Sequence, residues 1–129
     1  VQISTGSSVT CAVLSDGTAS CWGKGISGQF GNGATTSSTD PTPTTSFGAG
    51  KKALSVSLYS DHACALIDDG NVMCWGKNNY GKLGDGTESQ RNAPVQVNPF
   101  PANTTPISVA VGSHHSCALL DVGVSVIIW

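Results

Sequence analysis

The strongest constraint on this chain is that it repeats itself at a fixed spacing of 53 residues. Cys11-Ala-Val-Leu-Ser-Asp-Gly17 returns as Cys64-Ala-Leu-Ile-Asp-Asp-Gly70, then as Cys117-Ala-Leu-Leu-Asp-Val-Gly123. Cys21-Trp22-Gly23-Lys24 returns as Cys74-Trp75-Gly76-Lys77. A period of this length, built from short apolar runs and Gly-rich turns, marks a repeat architecture whose units bury their faces only against one another. The 129 residues hold about 2.4 periods. They divide into units at 1–53 and 54–106 and a partial, irregular third at 107–129.

The apolar runs are short and flanked by Gly, Asp, Asn or Pro, without helical periodicity, so the chain reads as all-β. Each unit centres on a hairpin whose turn, Ser15-Asp16-Gly17 or Asp68-Asp69-Gly70, ends in a glycine suited to positive φ. That turn places Cys64 opposite Cys74 and Leu66 opposite Val72 on one face, with Ala65, Ile67, Met73 and Trp75 on the other. Both faces are apolar, whereas an antiparallel hairpin normally shows one to water. Sandwiching between neighbouring copies resolves this, as in the blades of a propeller.

The same register opposes Cys11 to Cys21. A non-hydrogen-bonded pair brings Cα atoms to about 4.5 Å, within reach of a disulfide. Two readings fit: hairpin disulfides, which imply an oxidising compartment and a secreted or periplasmic protein, or pairs of small buried thiols. A zinc site fits poorly, because the spacing is wrong and no further ligands lie nearby. Cys117 faces Ile127, or Ile128 if one residue is inserted.

These motifs together resemble the regulator of chromosome condensation (RCC1) repeat family. The resemblance is carried by Gly112-Ser-His-His-Ser-Cys117-Ala-Leu119, the Asp-Asp-Gly turn and Cys74-Trp75-Gly76. To these add Asn79-Tyr80-Gly81-Lys82-Leu83-Gly84-Asp85-Gly86-Thr87 and the closing strand Pro94-Val-Gln-Val97. Unit one repeats the Gly-rich run as Ser27-Gly-Gln-Phe-Gly-Asn-Gly33. The Cys-Trp-Gly flavour is similar to bacterial, exported members. The resemblance implies seven-bladed propellers, with Gly17, Trp22, Gly23, Gly70, Trp75 and Gly76 as structural repeat positions. This chain has too few units to close such a ring alone. From Val122 to Trp129 it also loses the Asp-Asp-Gly turn and the Cys-Trp-Gly end, which suggests a truncated gene fragment with a reading-frame change near Val122. Open blades favour self-association: three chains of about 2.3 blades would make seven by head-to-tail contact, and a strand-exchanged dimer comes next.

Six basic and eight acidic residues, and only 11% charged residues overall, leave no basic footprint for nucleic acid or an anionic membrane. No apolar run is long enough to span a bilayer, and no leader segment is visible. Three histidines without ligand spacing, and no nucleophile elbow, point away from catalysis, so no catalytic, cofactor-binding or metal-binding residue is expected. His62 and His115 share a repeat position, which favours a structural imidazole between strands; His114 has no counterpart and reads as exposed. The Gly-rich runs lack the Lys-Ser/Thr of a phosphate loop and read as turns. Trp22 and Trp75 read as inter-blade anchors. Asp68, Asp69, Asp85 and Glu88 read as solvated turn acids, and the Asn103 triplet marks an exposed loop.

The segments Ala34 to Gly50 and Asn98 to Pro106 read as irregular connections, where function tends to sit. Phe47, Tyr59, Tyr80 and Phe100 are the candidate partner contacts. The chain reads as a non-catalytic interaction or scaffold module binding itself and another protein. The alternatives are a gene fragment without independent function and an accessory domain of a secreted enzyme.

Overall fold

Short strands and glycine turns build three antiparallel sheets in succession in this computed structural model, which describes residues 1–121 and 125–129. The first runs β1 (Gln2–Thr5), β2 (Val9–Val13), β3 (Ala19–Gly23) and β4 (Ser38–Pro43), neighbours in that order. The second repeats it with β5 (Ala53–Leu58), β6 (His62–Ile67), β7 (Val72–Gly76) and β8 (Arg91–Gln96). The third holds β9 (Pro106–Val111), β10 (Ser116–Leu120) and β11 (Ser125–Ile128). The fold is all-β, in propeller blades.

The hairpin turns form for a local reason. Gly17 and Gly70 take φ of 84° and 82°, where a side chain would be strained. Asp16 and Asp69 each accept from the backbone N–H two residues on, at 2.9 and 3.1 Å. Cys11 then pairs with Cys21, and Cys64 with Cys74, at Cα separations of 4.1 and 4.0 Å. Both pairs are disulfides, which settles the open alternative of buried thiols.

The second hairpin is buried on both faces. Ala63, Ala65, Ile67 and Trp75 pack with Val9, Cys11, Val13 and Cys21 of the first blade. Cys64, Leu66, Val72 and Cys74 face Val109, Val111 and Trp129 of the third. Along the inner strands the seams carry a repeated bond: Leu58 N–H donates to Ser4 Oγ at 3.3 Å, and Val111 N–H to Ser57 Oγ at 3.1 Å. The outer faces are open, with Ile3 61% exposed on the first blade and Ile128 65% exposed on the third.

Two expectations change. The connection from Ala34 to Gly50 contains a strand, β4, because an edge strand needs only backbone groups and tolerates Pro41 and Pro43. The chain end restores the repeat one residue late: Cys117 faces Ile128, the second of the two positions expected, and is free. Trp129 then lies against Gly84 as Trp75 lies against Gly31. Among the described residues the first two sheets have four strands and the third has three, so the third unit remains partial. The suspected frame change near Val122 lies outside the described residues.

Candidate functional site

At one end of the sheets, the β5–β6 turn, the loop after β7 and the β9–β10 turn converge between the second and third blades. Asp61 follows the first turn, and its carboxylate takes the buried Lys82 ammonium at 2.7 Å. Lys77, half-exposed, stands 3.9 Å from the other carboxylate oxygen. Burial pushes Asp61 up, but the Lys82 hydrogen bond and charge, with His62 beside them, outweigh it and hold the carboxyl below its usual value of 3.8.

His62 is fully buried behind this pair. The Ser116 hydroxyl gives its proton to the Lys82 carbonyl at 2.8 Å. His62 Nε2–H therefore donates to Ser116 Oγ, at 3.0 Å. Its Nδ1 has no hydrogen-bond partner and lies 3.5 Å from Asp61. Burial first, and the Lys82 charge second, push the imidazole down to about 4, so it is neutral near pH 7.

In front of these groups a cavity of about 240 Å³ is lined by Asp61, Lys77, Asn79, Tyr80, Lys82 and His114. Tyr80 is 75% exposed, held at a φ of 68°, and its ring stands edge-on to His114 with centroids 5.8 Å apart. Tyr59, 46% exposed, lies at the same end one seam away, where its carbonyl accepts from Ser7 N–H.

The other sequence candidates are not presented together. Phe47 is 5% exposed and packs on Trp75, so it supports a seam rather than offering a contact. Phe100 stands edge-on to Trp129, at 6.0 Å between centroids, and stays partly exposed beside it. Trp75 is fully buried and donates from Nε1 to the Gln29 carbonyl at 2.9 Å. Trp22 opens instead onto a cavity beside Ser37, Ser38 and Thr39 on the first blade. His115 is exposed on the third blade, so only His62 of that pair is enclosed.

Sequence reading missed Asp61, Lys77, Lys82 and Ser116 as a cluster. Comparing the repeats against each other gives the signal: Ser8, Val9, Gln29 and Ala63 at one seam become Asp61, His62, Lys82 and Ser116 at the next. Four positions change together from neutral to charged or hydrogen-bonding. At the first seam Gln29 makes only a neutral bond, from Nε2 to the Ser60 carbonyl at 3.3 Å. Chemically the cluster offers a cation, an aromatic edge and fixed hydrogen-bonding groups suited to recognition. Among the described residues no three His, Cys, Asp or Glu side chains gather in a way that would hold a metal ion.

Stacked antiparallel blades of up to four strands, with Trp-on-Gly seams and polar groups at the rim, define a propeller repeat protein. Two family models, both described as the regulator of chromosome condensation (RCC1) repeat, match this chain, one over residues 1–29 and 54–82 and the other over 69–119. The chain belongs to the RCC1 repeat family. It is 32% identical over 124 residues to the E3 ubiquitin-protein ligase HERC2 of Homo sapiens, covering 96% of this chain and 2% of that protein. It is 34% identical over 96 residues to the ultraviolet-B receptor UVR8 of Arabidopsis thaliana, covering 74% of this chain and 22% of the receptor.

Among solved structures, human WBSCR16 superposes with a TM-score of 0.89 at 28% identity, over 100% of this chain and 32% of that one. Prp20p of Saccharomyces cerevisiae superposes with a TM-score of 0.83 at 23% identity, over 98% of this chain and 32% of that one, a likeness of fold. The chain thus spans at most about a third of these relatives.

Proposed function

We propose that this chain is a non-catalytic interaction module that assembles with copies of itself through its open blade faces and presents its rim to a protein partner. The observation that carries the reading is the polarity of those faces. At both internal seams the cysteine face of one hairpin meets the tryptophan face of the next. The third blade leaves its cysteine face open, with Val126 and Ile128 53% and 65% exposed, and the first leaves its Trp22 face open. A head-to-tail contact between copies would repeat the seam the chain already makes twice.

The rim reading rests on the half-exposed Lys77 and on Tyr80 beside the Asp61–Lys82 pair. The partner class, another protein, has support in a relative: the Prp20p structure is described together with its binding to Gsp1p and histones. That describes Prp20p; for this chain only the class is carried over. The paired cysteines favour an oxidising compartment, and the Cys-Trp-Gly flavour favours a bacterial, exported protein.

The test is the molar mass in solution by light scattering coupled to size exclusion, with and without reductant. A single discrete oligomer, a trimer first and a dimer next, supports the reading. A monomer at tens of micromolar overturns it.

A further inference from the structure

The polar pocket at the rim between the second and third blades has walls that this chain supplies in full. The β5–β6 turn brings Asp61, the loop after β7 brings Lys77, Asn79, Tyr80 and Lys82, and the β9–β10 turn brings His114. At about 240 Å³ it is smaller than the roughly 300–1,000 Å³ of sites for drug-sized ligands. It has room for one side chain.

The charges inside it do not balance. Lys82, 2% exposed, gives its ammonium to Asp61 Oδ1 at 2.7 Å and is fixed there by burial. Lys77 stands 3.9 Å from Asp61 Oδ2, beyond hydrogen-bond reach, with 43% of its side chain exposed. Among the described residues that line the pocket, Asp61 alone is acidic. Two ammonium groups therefore share one carboxylate, and one positive charge is unanswered.

The matching rim position one repeat earlier lacks this arrangement. Lys24 corresponds to Lys77, but Ile26, Ser27 and Gln29 stand where Asn79, Tyr80 and Lys82 do. Tyr80 is also held at a φ of 68°, a left-handed conformation that a residue with a Cβ adopts at a cost, whereas Ser27 is not. The repeat thus does not demand the strain. Its effect is to set the exposed Tyr80 ring edge-on to His114 at the pocket, and backbone strain of this kind gathers at functional sites.

We propose that this pocket receives the carboxylate of an aspartate or glutamate side chain from a protein partner, paired with Lys77 and flanked by Tyr80 and His114. The inference rests on the rim reading given above and names what the rim recognises. One carboxylate brings the two ammonium groups and Asp61 to neutrality. A phosphate dianion would leave the pocket negative beside Asp61, and lysines lack the planar fork that grips phosphate at two points. A basic side chain would meet Lys77 as a like charge, and a neutral amide would leave its charge unanswered.

The test uses the whole oxidised chain, isotope-labelled, with amide chemical shifts followed as a capped peptide Gly-Ser-Glu-Ser-Gly is added. Saturable shifts at residues 60–62, 77–82 and 113–115 are expected, with a dissociation constant of about 1 mM. The same peptide with glutamine for glutamate, and Lys77→Gln, should each weaken binding about tenfold, while Lys24→Gln should leave it unchanged. Acetate and inorganic phosphate are titrated as free anions and should bind more weakly than the peptide. Equal binding of the glutamine peptide, an equal loss with Lys24→Gln, or either free anion binding as tightly as the peptide each overturns the proposal. So does the absence of saturable shifts at these residues. Lys77 is half-exposed, so its variant should fold, and the peptide and anion arms leave the protein unaltered. Peptide shifts elsewhere on the rim would remove this pocket and leave the rim reading standing, while light scattering on the same samples reports self-assembly separately.

Discussion

His62 is enclosed between two blades with a hydrogen bond at one nitrogen and none at the other, and the consequence can be read against pH. Its folded pKa of about 4 lies below its ordinary value of 6.5. The unfolded chain therefore takes up the proton first as pH falls. Stability from this group is complete above about pH 6.5 and is lost on the way down to about 4, amounting to roughly 2 kcal/mol between pH 7 and 5. Urea unfolding at those two pH values measures it, and His62→Gln should flatten most of the difference; an unchanged difference would assign it to other groups. Gly31 makes a second residue-scale case. At φ 65°, with the Trp75 ring 2.8 Å from where a Cβ would stand, Gly31→Ala is strained and clashes at once. It should cost about 2–3 kcal/mol in thermal or urea unfolding. The repeat position shared by His62 and His115 did not separate them: His62 is enclosed and His115 is exposed. The Asp61–Lys82 pair was not legible from spacing, because it joins the β5–β6 turn to the loop after β7, 21 residues apart in sequence within the second blade.

The hairpin is the element that sets everything else. Its register was legible from the Asp68-Asp69-Gly70 turn, because with both faces apolar the turn geometry alone fixes which residues pair. The edge strand β4 was not legible, because Ser, Thr and Pro carry no apolar period and its pairing uses backbone alone. The pairing of Cys117 with Ile128 was one of two readings the sequence left open, because one extra residue decides between them. Each disulfide closes a short loop across one hairpin, and reduction should cost about 2–3 kcal/mol per bridge, seen as a lower melting temperature in reductant. Ser57 gives the matching test of a seam. Ser57→Ala would leave the Val111 N–H without its acceptor and should cost about 1–2 kcal/mol. Hydrogen exchange should report the loss first at Val111; protection unchanged there would mean the seam does not depend on that bond.

For the whole molecule, stability is close to a sum of blades and seams, as in other linear arrays. The two seams differ: Gln29 of the first blade bonds the Ser60 carbonyl of the second, whereas His62 and the Lys82 carbonyl of the second blade both meet Ser116 of the third. The covalent links follow a different pattern. Each bridge lies within one hairpin, ten residues apart in sequence, and no bridge joins two blades. Drawn out from its two ends under mechanical load, the oxidised chain would give way blade after blade while each hairpin kept its staple. Every bridged blade would then lengthen by roughly 30 Å less than after reduction, a difference visible in a single-molecule extension trace. Tension is thus free to separate the blades from one another, while each cross-linked hairpin stays short enough to find its fold again once the load is released.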